Sequence, residues 1–216
     1  MLYPGENPSS PLVVLNNYSS NGASIVEAMS SLEAPDCSLL VVGDLNWNHD
    51  MAPWYCPPLF QGDTPCTGGA EDYLALLLER IIPESIERIG ETPVYTAIAG
   101  YSLAGLFALW STYQCGEFAR VASISGSLWF PGFAEYAMTN EFVRTPGRLY
   151  LSLGSAEART RNRVLRTVLE GTETLVDHYR AQGIDTVYEL NPGNHFKDAA
   201  LRSAKGIKAI LLHAES

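Results

Sequence analysis

The stretch Ala97-Ile98-Ala99-Gly100-Tyr101-Ser102-Leu103-Ala104-Gly105-Leu106-Phe107-Ala108-Leu109-Trp110 decides how this chain is read. An apolar, strand-like run over 94–99 enters the turn Gly100-Tyr101-Ser102-Leu103-Ala104-Gly105, and a helix-like run follows at once. A serine on so sharp a strand-to-helix turn holds its hydroxyl outward above a fresh helix N-terminus, the arrangement called a nucleophile elbow. Only small residues fit two places before and two places after such a serine, and Gly100 and Ala104 stand there. The Leu103 amide then points where the helix N-terminus favours developing negative charge. The usual pattern has glycine at the place of Ala104, and the competing reading of the hexapeptide is an ordinary Gly/Ser turn.

Working outward, short strand-like runs at 12–15, 38–42, 92–99, 120–125, 148–153 and 186–190 alternate with helical patterns. The helical patterns cover 23–32, 70–89, the run opened by Ser102, 133–142, 160–182 and 196–213. Pro83 either kinks the second of these or starts a new helix, and Gly171 is a place where the fifth can break. Such alternation predicts an α/β fold: a mostly parallel sheet with helices on both faces. A chain of 216 residues is long enough for one sizeable core and short for two. No repeat or linker interrupts it, so 1–216 is expected to be one domain.

Composition narrows the function classes. The formal net charge of −10, with Lys and Arg scattered, argues against nucleic acid and anionic membrane surfaces as partners. No apolar run reaches the roughly 18 residues of a membrane span. The first residues show neither a basic region nor an apolar stretch of the signal-peptide kind, so a cytoplasmic protein is expected. Cys37, Cys56, Cys66 and Cys115 form no Cys-x-x-Cys pair, which disfavours a zinc site. Cys56 and Cys66 bracket a Pro/Gly loop and are read as reduced thiols. Asp44, Asn46, Asn48 and Asp50 have calcium-loop spacing, but His49 and Tyr55 occupy the places that need glycine and glutamate. These are read as turn and pocket-wall groups.

Sites in parallel sheets lie beyond the C-terminal strand ends, so the residues just after each run are the ones to inspect. A serine needs a base within hydrogen-bond reach to become a nucleophile. The chain offers His49, His178, His195 and His213. The chain order serine, acid, histidine excludes His49. His178 sits in a helical run beside Asp177 and Arg180, and His213 is at the extreme end. His195 alone lies in a strand-to-helix loop, Asn191-Pro192-Gly193-Asn194-His195-Phe196. An acid that orients this imidazole is expected after the run ending at Leu153, where Glu157 stands. The competing role for Glu157 is a surface carboxylate pairing with Arg159 or Arg161; Asp177, Asp185 and Asp198 are further candidates, as is a dyad with no acid.

With Ser102, Glu157 and His195 placed on this alternation, the chain resembles the α/β-hydrolase superfamily, and within it the esterase group that includes esterase D and the enterochelin (siderophore) esterases. Gly100-Tyr101-Ser102-Leu103-Ala104-Gly105-Leu106, Ser125-Gly126-Ser127-Leu128-Trp129 and Gly193-Asn194-His195-Phe196 carry the likeness. The resemblance implies Ser102 as nucleophile and His195 as base. It also implies an oxyanion hole made by the Leu103 amide and an amide after the first strand, at Asn17 or Tyr18. Three departures stand out: Ala104 for glycine, Glu157 where aspartate is commoner, and little room before Leu12 for the usual N-terminal antiparallel strands.

The expected activity is hydrolysis of carboxylic esters through an acyl-enzyme, with a small-molecule ester as partner and no metal or organic cofactor. An acyltransferase, a thioesterase or a non-catalytic binding protein on the same fold are the alternatives. Between the runs ending at Ser125 and starting at Arg148 only one short helix fits, so no lid domain is expected and short acyl groups are favoured. The pocket walls are expected from the long loop 46–67, through Trp47, Trp54 and Tyr55, and from Trp129.

Overall fold

The computed structural model describes residues 1–212. In chain order the elements are β1 (Leu2–Tyr3), β2 (Leu12–Asn16), α1 (Ala23–Ser31), β3 (Ser38–Val42), α2 (Trp47–Asp50), β4 (Tyr55–Cys56), β5 (Cys66–Thr67), α3 (Ala70–Leu76), α4 (Ile82–Ile89), β6 (Thr96–Tyr101), α5 (Leu103–Ser111), β7 (Phe118–Ile124), α6 (Phe133–Thr139), β8 (Arg148–Gly154), α7 (Val168–Ala181), β9 (Thr186–Asn191) and α8 (Ala199–Leu211). Seven strands build one sheet in the order β1-β3-β2-β6-β7-β8-β9, and β4 with β5 forms a separate hairpin. Every pairing in the large sheet is parallel except β1 with β3.

The continuous apolar runs follow from burial on both faces. In β2, Leu12 and Val14 enter the core under α3, α5, α6 and α7 together with Phe107, Phe133 and Leu175. The intervening Val13 and Leu15 enter the core under α1 and α8, with Ile25, Ile207 and Ile210. Truncating one buried aromatic such as Phe107 costs about 3–5 kcal/mol. The exposed Arg80–Glu84 pair at 3.7 Å contributes about 0.3–0.5 kcal/mol. Apolar faces, not surface ion pairs, therefore place the helices.

The strand order reverses between β2 and β6. From β2 the chain crosses to β3 through α1 on one face; from β6 it crosses to β7 through α5 on the other. Right-handed crossovers that move apart in this way leave a crevice at the C-terminal ends of the two strands. Tyr18 follows one of those ends and Ser102 the other.

Several elements differ from the sequence-based expectation. The N-terminal segment does find room for one antiparallel strand, the two-residue β1 at the sheet edge. The loop 46–67 holds the short α2 and the β4–β5 hairpin. Residues 70–89 run on without a break because a π-helical turn, Leu77–Ile81, precedes Pro83. Proline lacks an N–H and its ring crowds the carbonyl four residues back, and the wider turn absorbs both defects. Gly171 does not break α7: it lets the helix approach the Leu128 carbonyl, from which an added Cβ would be 3.0 Å. α6 stops at Thr139, and α8 starts at Ala199 rather than 196 because residues 192–198 form the loop that carries His195. His213 lies outside the described residues. Between β7 and β8 the one helix is α6, so nothing the size of a lid is inserted there.

Candidate active site

Ser102 caps α5 with φ +61° and ψ −124°, a conformation an L residue adopts only when its surroundings impose it. The surroundings are backbone. The Ser102 amide donates to the Ile124 carbonyl at 3.0 Å, and the Ser102 carbonyl accepts from the Ser127 and Gly105 amides, each at 3.0 Å. A Cβ on Gly100 would sit 2.2 Å from the Ala104 carbonyl oxygen, and one on Gly105 would sit 2.9 Å from the Gly100 oxygen. The bare Gly100 is what makes room for the methyl group of Ala104, which is fully buried. The departure at 104 is thus accommodated by its neighbour.

His195 and Glu157 meet because two loops are stitched together. Ser155 donates its amide to Asn191 at 2.8 Å, and Ala156 donates to Gly193 at 2.9 Å. Gly154 passes so close to the Gly193 carbonyl that a Cβ would lie 2.6 Å from it. Glu157 Oε2 is 2.6 Å from His195 Nδ1, and His195 Nε2 is 2.9 Å from Ser102 Oγ. An ionised carboxylate can only accept, so Nδ1 carries the proton and Nε2 offers its lone pair to the serine hydroxyl. The other carboxylate oxygen of Glu157 accepts from the Gly154 amide at 2.6 Å and faces Arg202 at 3.4 Å. Glu157 does not pair with Arg159 or Arg161. Tyr101 donates its hydroxyl to the His195 carbonyl at 2.6 Å. Burial pushes the Tyr101 phenol above its ordinary range, which keeps it a donor.

The other histidines are elsewhere. His49 contacts the Thr67 hydroxyl at 2.6 Å, and His178 lies on α7 edge-on to Tyr179. The Leu103 amide, at the first position of α5, has no acceptor among the described residues, and neither has the Tyr18 amide. The two options after the first long strand are not equivalent. The Asn17 amide donates to the Val42 carbonyl at 2.9 Å, continuing the β2–β3 ladder, so of the two only the Tyr18 amide lacks an acceptor among the described residues.

Two arms of one open cleft converge on Ser102. The larger, of about 920 Å³, runs between α1 and the start of α8 and is walled by Tyr18, Trp47, Ile25 and Phe196. The smaller, of about 250 Å³, runs under the loop 46–67 and is walled by Trp47, Trp129, Leu59 and Cys56. Trp47 and Trp129 therefore line the cleft. Trp54 and Tyr55 do not. Trp54 donates its indole N–H to the Pro131 carbonyl at 2.8 Å and packs on Phe130 and Tyr136, anchoring the loop to the body. Tyr55 is 63% exposed and lines neither arm.

Cys56 and Cys66 are direct cross-strand partners in the β4–β5 hairpin, and both are free thiols. Burial, and then the neighbouring Cys56, pushes the Cys66 thiol up to about 11, and burial also raises Cys56. Neither is a thiolate at neutral pH. The Asp44–Asp50 segment is a helix start: the Asn46 amide donates to Asp50 at 2.8 Å and Asn48 binds Thr64. Among the described residues no cluster of His, Cys, Asp and Glu is arranged to hold a metal ion.

The site also contains residues that the sequence reading passed over. Phe196 stands next to the candidate base and is 85% exposed at the mouth of the larger arm. Arg202 is 2% exposed on the inner side of α8. Its signal was present: Arg202, Gly206 and Ile210 recur at helical spacing, which puts a cation on the apolar stripe.

Comparison with known proteins agrees with this architecture. The model of the Putative esterase family matches residues 18–197, which takes in Tyr18, Ser102, Glu157 and His195. The chain belongs to that family, and it is a carboxylic ester hydrolase with the α/β-hydrolase fold. Among curated proteins it is similar to the uncharacterized protein YbbA of Bacillus subtilis (strain 168), at 24% identity over 188 residues, 84% of this chain and 75% of the relative. Among solved structures it is similar to the siderophore hydrolase EstA of Aspergillus nidulans, with TM-score 0.76, 20% identity and coverage of 94% and 82% of the two chains. It is similar also to an IroE-like serine hydrolase of Shewanella oneidensis, with TM-score 0.76, 18% identity and coverage of 96% and 73%. Among the described residues no helix is long and apolar enough to cross a membrane.

Proposed function

We propose that residues 1–216 form one domain that hydrolyses small-molecule carboxylic esters through an acyl-enzyme on Ser102. His195 takes the serine proton and returns it to the leaving alcohol, and Glu157 holds the imidazole in its tautomer and stabilises the imidazolium. The amides of Leu103 and Tyr18 stabilise the oxyanion, a contribution of about 3–4 kcal/mol per donor in comparable sites. The reaction needs no cofactor, and the cytoplasmic location expected from composition is part of the same reading.

The observation that supports this most is the unbroken hydrogen-bonded chain from Ser102 Oγ through His195 to Glu157, at 2.9 Å and 2.6 Å. It opens onto a cleft that solvent and substrate reach. A serine-directed fluorophosphonate tests the reading: it should label Ser102 once per chain and abolish ester hydrolysis, and labelling elsewhere would overturn it. The substrate side of the reading is a short acyl group. With no inserted cover between β7 and β8, kcat/KM across p-nitrophenyl esters should fall beyond about six carbons, the order of length an open cleft shields from water. A preference for longer chains would defeat that part.

A further inference from the structure

We propose that the cleft is directional: the small arm takes the acyl group and the large arm takes the alcohol, so the substrate is the ester of a short acid with a bulky, apolar, non-anionic alcohol. The inference rests on Ser102 and His195 acting as nucleophile and base.

Bond-making sets the direction. Ser102 Oγ bonds to the carbonyl carbon as its proton passes to His195 Nε2. The carbon–oxygen bond to the alcohol then breaks, and the same proton passes from Nε2 to the departing oxygen. Water repeats the sequence on the acyl-enzyme and releases the acid. The departing oxygen must therefore lie beside Nε2, and the acyl substituent on the tetrahedral carbon must point away from it. His195 and Phe196 line the large arm and are absent from the small one; Leu103, Ser127 and Trp129 line the small arm and are absent from the large one.

Size and charge then define the substrate. The large arm, about 920 Å³, falls in the range of about 300–1,000 Å³ that holds drug-sized ligands, and the small arm, about 250 Å³, falls below it. Tyr18 and Phe196, 77% and 85% exposed, present aromatic surface to the large arm, each held edge-on by one neighbouring ring, Trp47 and His195. Among the described residues its only carboxylate is Glu27 and it has no lysine or arginine, which disfavours an anionic alcohol.

Two ester series test the direction. In acetates of phenol, 2-naphthol and 4-phenylphenol, whose acidities are closely matched, kcat/KM should rise about tenfold or more from the smallest to the largest. In 2-naphthyl esters it should fall as the acid lengthens. Phe196→Ala should cut the naphthyl-to-phenyl ratio about fivefold and leave the acyl limit in place. Trp129→Ala should extend the acyl limit by about two carbons and leave that ratio within about twofold; Trp129→Leu gives a smaller shift of the same sign should the alanine variant not fold. Exchanged effects, or no effect in either variant, would overturn the direction. Fluorophosphonate labelling separates the two levels: a labelled Ser102 with exchanged preferences removes only the direction, whereas a chain that takes no label at Ser102 removes the mechanism and the direction together.

A separate observation concerns Arg202, which we infer to be a positioning residue for Glu157. Its guanidinium reaches the ends of the four strands that carry the site: Tyr101 Oη and Ser125 Oγ at 3.3 Å, Glu157 Oε1 at 3.4 Å and the Pro192 carbonyl at 3.0 Å. Holding Oε1 turns Oε2 toward His195, and holding Tyr101 fixes the group that binds the His195 carbonyl. Misplacement by about 1 Å costs on the order of 10²-fold in rate. Arg202→Met should lower kcat by about 10–100-fold with KM within about twofold, and Arg202→Lys should recover part of the loss. In a Glu157→Gln background Arg202→Met should lower kcat no further, because the two changes remove one interaction. Fluorophosphonate titration of active sites corrects for any misfolded fraction, and Arg202→Lys serves alone should the methionine variant not fold. An additive loss in the double variant, or a rise in KM that accounts for the whole effect, would overturn the assignment.

Discussion

The β6–α5 turn and the β9–α8 connection each deliver one of the proposed reacting groups, but they hold it by different means. Around Ser102 backbone presses on backbone: Gly100 against the Ala104 carbonyl, and the Ser102 carbonyl against three amides. Around His195 side chains from other elements do the holding: Glu157 on the ring, Tyr101 on the carbonyl, and buried Arg202 behind both. The first arrangement is local in sequence and rigid by steric exclusion. The second is non-local and depends on satisfying a buried cation, where removing one partner of such a pair costs about 3–5 kcal/mol.

The largest expected effect breaks the chemistry and spares both frameworks. Ser102→Ala should lower kcat by about 10⁶, to the level left by binding and the oxyanion amides, with unchanged thermal unfolding. Retained fluorophosphonate labelling in that variant would remove Ser102 from its role. Next comes the contrast of glycines. Gly100→Ala drives a methyl group into backbone at 2.2 Å and should destabilise by more than about 4 kcal/mol in denaturant unfolding. Gly193→Ala, at φ +106° and with the flexible end of Lys197 as nearest neighbour, should cost about 1–3 kcal/mol. Equal costs would mean that the two regions are not held differently.

Glu157→Gln tests the second region through chemistry. It keeps the shape but loses the charge that stabilises the imidazolium, and kcat should fall on the order of 10³-fold with KM little changed. A loss of only a few-fold in steady-state kinetics would make the site a serine–histidine dyad. The smallest effect is expected at Ala104. Ala104→Gly restores the usual elbow residue, removes one buried methyl and weakens the first turn of α5, for about 1–2 kcal/mol of stability. Its kcat should stay within about twofold, since Gly100 already provides the room.

This contrast explains what was readable beforehand. The continuous apolar runs of β2, β6, β7 and β8 are legible because each is buried on both faces. The edge strand β1 and the β4–β5 hairpin, two residues per strand, are too short to leave a periodic signal. The four aromatic candidates for the cleft were indistinguishable by type. Trp47 and Trp129 reach it, whereas Trp54 is taken by the Pro131 carbonyl and Tyr55 by solvent, a division made by contacts up to 77 residues apart.

The chain by itself determined the serine, its turn and the parallel alternation, because these rest on spacing within a few residues: small residues flanking Ser102, and apolar periods set by burial. It also put His195 and Glu157 in the two loops that meet beside Ser102. Only the tertiary structure decided that Glu157 turns inward to His195 rather than outward to Arg159. The choice belongs to Arg202 and the Gly154 amide, which meet Glu157 only when β8, β9 and α8 are packed together. It likewise made the Asn17 and Tyr18 amides unequal, since an amide is free only if no neighbouring strand claims it, and β3 claims Asn17.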